Sequence, residues 1–510
     1  MAKQKPGKRP GAPPPTPPVP AAPPPPPRPA FWFGFEVAWA KLVVGRVVLF
    51  GLLALDALLA IRHAPRYGAG GFNVAQLPGL DGLGPTRLSY LTCELINALL
   101  FTFAALGVGS RLVLPLATAI YAWLYLGSQL DSYQHHYLVV LILLVACFVP
   151  WERPREATPG TPVRSWALRL ILVQLGILYF YAAVSKFDPA WLDGRALGSQ
   201  IVTPDAWFDL RGAIDATIGM RAMAHIIVVV ELALGVMVWI PQAWFVAGPL
   251  GILFHLGIVL SKLEIGLFAW LMIGLYAFVV PDRVWIALAG SAPGRTVRRA
   301  LAAITGVLDR HAFAGAIAAV AGIGLALVTR TDHALAVALA VIALPFIAAV
   351  AANRRALIGR IGAALLVGFG LWLAVDRASD ATGDYYKFWG GSSRRLGDLD
   401  AAEQAYRRMT AVAPDDAAGH FQLGRLLLAR GDELDGMAEL HEAQALEPKR
   451  ARAWLEEARY LEGHQRHAAA LAAAQTALKL EPNSAEAKAV IATLTGQARA
   501  KAAPGGGDDE

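Results

Sequence analysis

A single lysine stands where a predicted membrane span ends, and its surroundings suggest base chemistry. Lys186 lies between aromatic residues in the segment YFYAAVSKFDPAWLDG, which runs from Tyr179 to Gly194. An apolar environment disfavours the charged form of a lysine, so a lysine in this position can act as a neutral base. The alternative interpretation is an interfacial lysine that extends its ammonium group to the membrane surface.

Other polar residues interrupt the apolar runs of the chain. Such residues are costly in lipid, so each is a candidate for function. They are Arg46, Asp56, Glu94, Asn97, Gln174, Glu231 and His255. For Glu94, Asn97 and Gln174 the alternative is a hydrogen bond that links two helices. Arg46 and Asp56 lie too far apart in one run to meet, so we expect each to have a different partner.

The composition indicates a membrane protein. Hydrophobic residues make up 56% of the 510 residues and charged residues only 17%, against about 25% charged in soluble proteins. Most of the eleven apolar runs approach the roughly 20 residues that a spanning helix needs. The runs are 37–61, 90–108, 112–130, 136–150, 166–185, 223–240, 243–261, 264–280, 312–329, 333–352 and 361–375. We therefore predict a multi-pass helical protein in contact with the lipid bilayer.

The distribution of Lys and Arg among the loops predicts the orientation. With a cytoplasmic N-terminus, the inner segments hold about twice as many basic residues as the outer ones, as the positive-inside rule requires. An odd number of spans then places the C-terminal region on the extracytoplasmic side. We attribute the net charge of +7 to this topology and predict no binding of nucleic acid.

Three further segments can be interpreted from their composition: the two ends of the chain and residues 286–376. Residues 1–34 are rich in proline and basic residues without an apolar face, which predicts a disordered tail, and we expect a second short tail at 501–510. Residues 286–376 hold the last three runs and are predicted to be additional transmembrane helices. The sequence has no pattern typical of a zinc, haem or other metal site.

Residues 377–500 show an internal repeat. Pro414, Pro448 and Pro482 are each 34 residues apart, which is the period of the tetratricopeptide repeat (TPR), a unit of two helices. We predict a soluble α-solenoid of TPR helix pairs, whose concave groove would hold a protein or peptide partner. The alternative is a purely structural role for these helices. The expected fold class of the whole chain is all-α.

Three motifs, in order, resemble the vitamin K-dependent gamma-carboxylase family and its bacterial relatives, the horizontally transferred transmembrane (HTTM) domain proteins. The segment around Lys186 matches, without a gap, the family pattern Tyr-Phe-x-Ala-Gly-x-x-Lys-x-x-x-x-Trp-x-x-Gly, except that Ala183 stands at the first glycine. YQHHYL at 133–138 is similar to the Asn-His-Tyr element of the family. FHLGIVLSKLEIGLFAW at 254–270 is similar to its Phe-His helix. With the first span, the resemblance covers roughly 35–285.

This resemblance implies a mechanism. In the family, the lysine that matches Lys186 is the base that generates reactive chemistry from reduced vitamin K, whose hydroquinone is oxygenated to an epoxide. The strong base so formed removes a proton from a glutamate side chain, which takes up carbon dioxide in a lyase-type carboxylation. His136 matches a histidine that assists at this site, and His255 matches a histidine of the family core. Reduced vitamin K or another quinol is the cofactor that the resemblance implies.

The resemblance stops at residue 285, because the β-rich lumenal domain of the family's carboxylases has no counterpart here. We predict that Lys186, His136 and His255 are catalytic and share one outward-facing cavity. The predicted substrate-binding residues are Tyr179, Trp191, Asp188 and His135. The leading hypothesis is an epoxidase-like or carboxylase-like membrane enzyme whose repeats recruit a glutamate-containing substrate. The second is a membrane-anchored TPR scaffold without catalytic activity.

Overall fold

The computed structural model describes most of the predicted membrane and repeat regions. The described residues are 32–67, 74–77, 79–107, 110–131, 134–152, 156–201, 209–261, 267–296, 299, 374, 376–377, 381–482 and 484–502. Residues 1–31 of the tail predicted at 1–34 and residues 503–510 of the tail predicted at 501–510 lie outside these ranges. So do the apolar runs predicted at 312–329 and 333–352 and, apart from residue 374, the run predicted at 361–375.

The described part of the membrane domain is a bundle of helices. Each of the eight apolar runs predicted before residue 285 falls on a helix, since apolar residues in an unbroken run favour a structure whose backbone hydrogen bonds are internal. The helices are α1 Trp39–Ala60, α2 Arg87–Leu106, α3 Ser110–Leu126, α4 Gln134–Ala146, α5 Trp166–Val184, α6 Pro189–Leu192, α7 Arg195–Gln200, α8 Leu210–Thr217, α9 Met220–Met237, α10 Trp244–Leu260, α11 Phe268–Val279 and α12 Asp282–Gly290. A 3-10 helix, Ile61–Arg66, extends α1.

Five helices in the described ranges are long and apolar enough to cross a bilayer. They are Trp39–Arg66, Arg87–Leu106, Trp166–Val184, Met220–Met237 and Pro241–Leu260. Helices α11 and α12 form a sixth candidate span if they cross together, although they are bent by 91°. Helices α3 and α4 are apolar but shorter. Large apolar side chains on the outside of the bundle, such as Leu112 and Val229, are exposed, as expected of a surface that faces lipid.

Two strands of three residues each lie at one end of the bundle, and the predicted all-α fold class is confirmed. Strand β1, Glu36–Ala38, pairs antiparallel with β2, Pro162–Arg164. Helix α12 lies at the same end, where Asp282 accepts a hydrogen bond from the backbone of Ala38 and forms an ion pair with Lys41 at 2.9 Å. We call this the first end of the membrane domain.

Arg46 has a structural role that explains its place in an apolar helix. Its Nε donates to the carbonyl of Ala105 at 3.1 Å, and its Nη1 donates to the carbonyl of Trp151 at 2.8 Å. The carbonyl of Ala105 is in the last turn of α2, where carbonyls have no partner within the helix, and Trp151 lies outside the described helices. The buried guanidinium therefore satisfies two carbonyls that lipid cannot. The expected separate partner of Arg46 is therefore backbone near the first end.

The C-terminal helices follow one another in pairs. They are α13 Ala381–Arg395, α14 Leu399–Val412, α15 Ala417–Arg430, α16 Glu433–Leu446, α17 Ala451–Gly463, α18 His467–Leu480 and α19 Ala485–Ala502. Each of the three prolines of the repeat follows the second helix of a pair by two residues. Gly390 and Gly424 are also 34 residues apart, and a Cβ at Gly424 would lie 2.9 Å from the carbonyl of Gly436 on the facing helix. These glycines let the paired helices approach closely.

The first C-terminal helix packs on the membrane domain. Asp384 of α13 forms an ion pair with Arg62 at 3.3 Å, and the ring of Phe388 lies 5.1 Å from that of His63. Arg87, at the start of α2, lies over the ring of Trp389 at 4.3 Å. We call this the docking end. It is opposite the first end, because α1 begins at one and its 3-10 extension ends at the other.

Candidate functional site

Lys186 turns back into the membrane domain. Its Nζ donates to the carbonyl of Ala182, one turn earlier in the chain, at 2.9 Å, and to Oε1 of Glu231 on α9 at 2.9 Å. The side chains are 19% and 6% exposed, respectively. A lysine that extended to the membrane surface would point away from α5, whereas this ammonium group lies against α5 and α9. Lys186 is therefore an intramembrane cation whose partner is the carboxylate of Glu231.

The turn after α5 brings an aromatic ring over this lysine. Asp188 caps the short helix α6, with its Oδ1 accepting from the backbone of Ala190 at 2.6 Å. The ring of Trp191 on α6 lies 5.2 Å from Nζ of Lys186, within the range of a cation–π interaction. Asp188, which was predicted to bind substrate, therefore positions Trp191 through the helix that it caps.

The backbone conformation at Gly194, the last residue of the Lys186 segment, requires glycine. Gly194 has a φ of +85°, and a Cβ there would lie 2.6 Å from the backbone nitrogen of Arg221 at the start of α9. Only glycine adopts this conformation readily at so close an approach. Next to it, Asp193 accepts from Arg195, whose backbone N–H is the largest cause of the lowered pKa of Asp193.

Glu231 is the functional candidate that the sequence did not single out as a site residue. Its Oε1 binds Lys186, while its Oε2 is buried and has no hydrogen-bond partner among the described residues. An unpaired carboxylate oxygen is costly in a buried position. The signal was present, because a glutamate inside a predicted span implies a partner, but the sequence did not show that this partner is Lys186.

A second set of hydrogen bonds lies deeper between α5, α10 and α11. The hydroxyl of Tyr179 lies 2.8 Å from Nε2 of His255 and 2.9 Å from the hydroxyl of Tyr276. Nδ1 of His255 is buried and without a partner in the described part of the chain. Gly251 makes room for this arrangement, because a Cβ there would collide with the ring of Tyr276. Sequence reasoning missed Tyr276, which lies within an apolar run.

His135 and His136 belong to a group of polar side chains between the first four helices. Nδ1 of His136 lies 2.7 Å from the hydroxyl of Tyr121 on α3, and the two histidine rings are 4.3 Å apart. A small cavity beside them is lined by Asp56, Tyr121 and His135 together with apolar side chains of α1 and α11. Asp56 therefore contributes to this cavity and not to the environment of Arg46.

The predicted site residues thus fall into two groups. Lys186, Trp191, Tyr179 and His255 lie among α5, α6, α9, α10 and α11, whereas His135 and His136 lie beside α3. Helix α11 contacts both, through the ring of Phe268 beside His135 and through Tyr276 beside Tyr179. These two residues of α11 are about 12 Å apart along the helix axis. A single cavity that holds all three predicted catalytic side chains remains a prediction.

Buried polar groups with unused hydrogen-bonding atoms recur in this domain. Glu94 and Asn97, one turn apart on α2, are almost completely buried, and the Asn97 amide has no partner among the described residues. The alternative interpretation of Asn97, a hydrogen bond that links two helices, is therefore not seen among the described residues. No group of three or more His, Cys, Asp or Glu in the described ranges could hold a metal ion.

Comparison with known proteins identifies the membrane domain. No curated protein matches the chain. One family model does match, that of the HTTM domain, over residues 36–284. All of the predicted site residues and the five single-helix candidate spans of the described ranges lie inside this match. The protein is a multi-pass membrane protein whose residues 36–284 match the HTTM domain model.

Proposed function

We propose that the HTTM domain of this protein is a carboxylase-like enzyme in which Lys186 and Glu231 together form the base. The observation that carries this proposal is the partly buried Lys186–Glu231 contact, in which the second carboxylate oxygen has no partner among the described residues. A structural ion pair is stabilising when all of its polar atoms are satisfied. This pair leaves one acceptor unused, at the site where the family motif has its lysine.

The pair also explains how a lysine with a carboxylate partner becomes a base. While Glu231 carries a negative charge, it favours the ammonium form of Lys186, which cannot accept a proton. Transfer of one proton along the 2.9 Å hydrogen bond to Glu231 leaves a neutral amine and a carboxylic acid. The amine can then accept a proton from the hydroxyl of a quinol. Trp191 covers the amine and favours its charged form after that transfer.

The neighbouring hydrogen bonds suit the orientation of a polar head group. The hydroxyls of Tyr179 and Tyr276 and the ring of His255 form a continuous chain, with Nδ1 of His255 available to a ligand. A quinol such as reduced vitamin K offers hydroxyl groups that pair with such atoms, and an apolar ring and tail that suit the spans around them. We assign His135 and His136 to the separate group of polar side chains beside α3, where Tyr121 orients His136.

In the same proposal, the C-terminal helices are TPR units that present a protein partner to the membrane domain. Helix α13 packs at the docking end, which is also where α4 begins and α5 ends. A partner held by these helices would lie near Lys186 and not at the first end. The orientation that places this end outside the cytoplasm, with a cytoplasmic N-terminus, belongs to the proposal and rests on the positive-inside count.

The test is a turnover assay on the purified protein in lipid nanodiscs. Reduced vitamin K, oxygen, labelled bicarbonate and a glutamate-rich peptide are supplied, and epoxide and fixed label are measured separately. We expect Lys186→Ala to lower epoxide formation by about 100-fold or more, as expected for loss of a catalytic base. Lys479→Ala, which removes a lysine from the C-terminal helix α18, is the matched control and should retain full turnover.

The second candidate function is a scaffold without catalysis, and the packing of α13 on the membrane domain favours it. That contact combines the Arg62–Asp384 ion pair with the aromatic residues Phe388 and Trp389, as a fixed attachment would. A scaffold has no turnover to lose. Absence of epoxide with any quinol, together with unchanged partner binding by Lys186→Ala, would support this function and reject the enzyme.

A further inference from the structure

Arginines of three successive helix pairs converge on one surface of the C-terminal domain. Arg425 on α15 and Arg452 on α17 lie over the buried ring of Phe421, with 5.5 and 4.4 Å between the guanidinium carbon and the ring centroid. At the end of α13, Arg394 and Arg395 are exposed. We call Arg394, Arg395, Arg425 and Arg452 the arginine row.

The buried hydroxyl of Tyr406 connects the first half of this row to the second. It interacts with Arg394 and lies within electrostatic range of Arg425 and Arg395. Tyr406 itself is 1% exposed, so its ring forms part of the floor beneath the arginines. The row therefore runs from α13 across α15 to α17 over a floor of two aromatic rings.

Positive charge in this row exceeds the negative charge beside it. Arg425 forms an ion pair with Glu456 at 3.3 Å, and the adjacent Arg450 is paired with Glu447 at 2.8 Å. Burial is the main cause of the lowered pKa of Arg452, and the charges of Arg425 and Arg450 lower it further. Guanidinium groups that repel one another in this way would be stabilised by an added anion.

We infer that the arginine row binds an acidic peptide segment of a protein partner, whose carboxylates pair with Arg394, Arg425 and Arg452. Guanidinium groups bind carboxylates through two parallel hydrogen bonds, which makes arginine well suited to this ligand. One contribution from each successive helix pair forms a line that an extended chain can follow. This inference names the partner class of the recruiting role proposed above and rests on that role.

An acidic peptide fits better than an anionic membrane surface. Segments that bind anionic lipid are clusters of about four to eight Lys and Arg next to a membrane span or on one amphipathic helix. Here Glu456 stands within the row and Glu447 beside it, and the rings of Tyr406 and Phe421 separate the charges. A flat lipid surface would be repelled by the two glutamates, whereas a peptide can place its own side chains between them.

The test is direct binding to the full-length protein in nanodiscs of neutral lipid, without quinol. A fluorescent glutamate-rich peptide and its glutamine counterpart are titrated, and anisotropy is measured. We expect the glutamate peptide to bind, the glutamine peptide to bind at least about tenfold more weakly, and added salt to weaken the binding. Equal binding of the two peptides would overturn the inference.

Variants locate the site. The double variant Arg394→Gln/Arg452→Gln should weaken binding of the glutamate peptide by about tenfold. Arg407→Gln, which removes an exposed arginine of α14 outside the row, should bind as the parent protein does. An equal effect of Arg407→Gln, or displacement of the peptide by vesicles of anionic lipid but not neutral lipid, would contradict the assignment. Circular dichroism checks that the double variant is folded.

This outcome is separable from the proposed catalysis. Lys186→Ala should bind the glutamate peptide normally, because Lys186 belongs to the membrane domain. Binding without any epoxide would support the inference while rejecting the enzyme. Epoxide without peptide binding would retain the enzyme and overturn the arginine row as its docking surface.

Discussion

Two cations of the membrane domain, the buried Arg46 and the partly buried Lys186, are held in different ways. Arg46, near the first end, donates to the backbone carbonyls of Ala105 and Trp151 and so joins three parts of the chain. Lys186, near the docking end, binds Glu231, whose second oxygen has no partner among the described residues. In the first arrangement, the charged side chain donates hydrogen bonds to backbone carbonyls. The second pairs two side chains of opposite charge, which is the contact on which the proposed base depends.

The largest effect on stability is expected at Arg46. Replacement by alanine leaves two buried carbonyls without a donor, which should cost about 4 kcal/mol in the free energy of unfolding. Thermal unfolding of the purified protein in detergent measures this change. Arg111→Ala is the control at the same end, because its side chain is 86% exposed and its ion pair with Glu152 is worth little. Similar melting of the two variants would show that Arg46 is not structural.

The second prediction concerns the turn that positions Trp191. In Gly194→Ala, an alanine must adopt a left-handed backbone against the nitrogen of Arg221, which should cost about 2 kcal/mol. The same thermal measurement tests it. Gly431 has a left-handed backbone like that of Gly194, with φ +87° and ψ 5°, and open space around it, so Gly431→Ala measures the backbone cost without the collision. A smaller loss at Gly194 than at Gly431 would contradict the close approach.

A smaller stability effect is expected at Lys186, in contrast to its effect on turnover. Lys186→Met leaves the buried Glu231 without its partner, which should cost about 1.5 kcal/mol once the carboxylate takes up a proton. Adding Glu231→Gln should recover about 1 kcal/mol, because the unpaired acid is gone. Turnover should be lost in both variants. A double variant less stable than Lys186→Met would show that the pair is not coupled as described.

The smallest effect is expected at the contact between the two domains. Asp384→Asn removes the partially exposed ion pair with Arg62 and should cost about 0.5 kcal/mol. The aromatic contacts of Phe388 and Trp389 should keep α13 in place. Limited proteolysis between the domains gives the measurement, with Asp400→Asn on α14 as the control. Release of the C-terminal helices by Asp384→Asn alone would show that the ion pair dominates this interface.

The sequence predicted elements better than it predicted contacts. Prolines at 34-residue intervals marked the boundaries between helix pairs, because a proline cannot continue a helix. The apolar runs marked α1 to α5 and α9 to α11 for an equally local reason. In contrast, Lys186 and Glu231 are 45 residues apart in the chain, and nothing in either segment specifies the other.

The site shows the same limit in finer detail. Tyr179 and His255 were both predicted to belong to the site, and they do meet. Tyr276 was not predicted, since a tyrosine in an apolar run has no pattern that distinguishes a hydrogen-bonding role from packing. The prediction that Asp188 contacts substrate stays a prediction, and the structure adds that its carboxylate caps α6, a role that depends on where that short helix begins.

By itself, the sequence determined that this chain has a helical membrane domain and a separate helical C-terminal region, because hydropathy and proline spacing act within a few turns of chain. It also determined that Lys186 stands at the end of a span. Only the tertiary structure decided that this lysine turns inward to Glu231, that Arg46 serves the backbone, and that His136 packs beside Tyr121. Those outcomes depend on which helices pack together, and packing is a property of the whole bundle that no single segment contains.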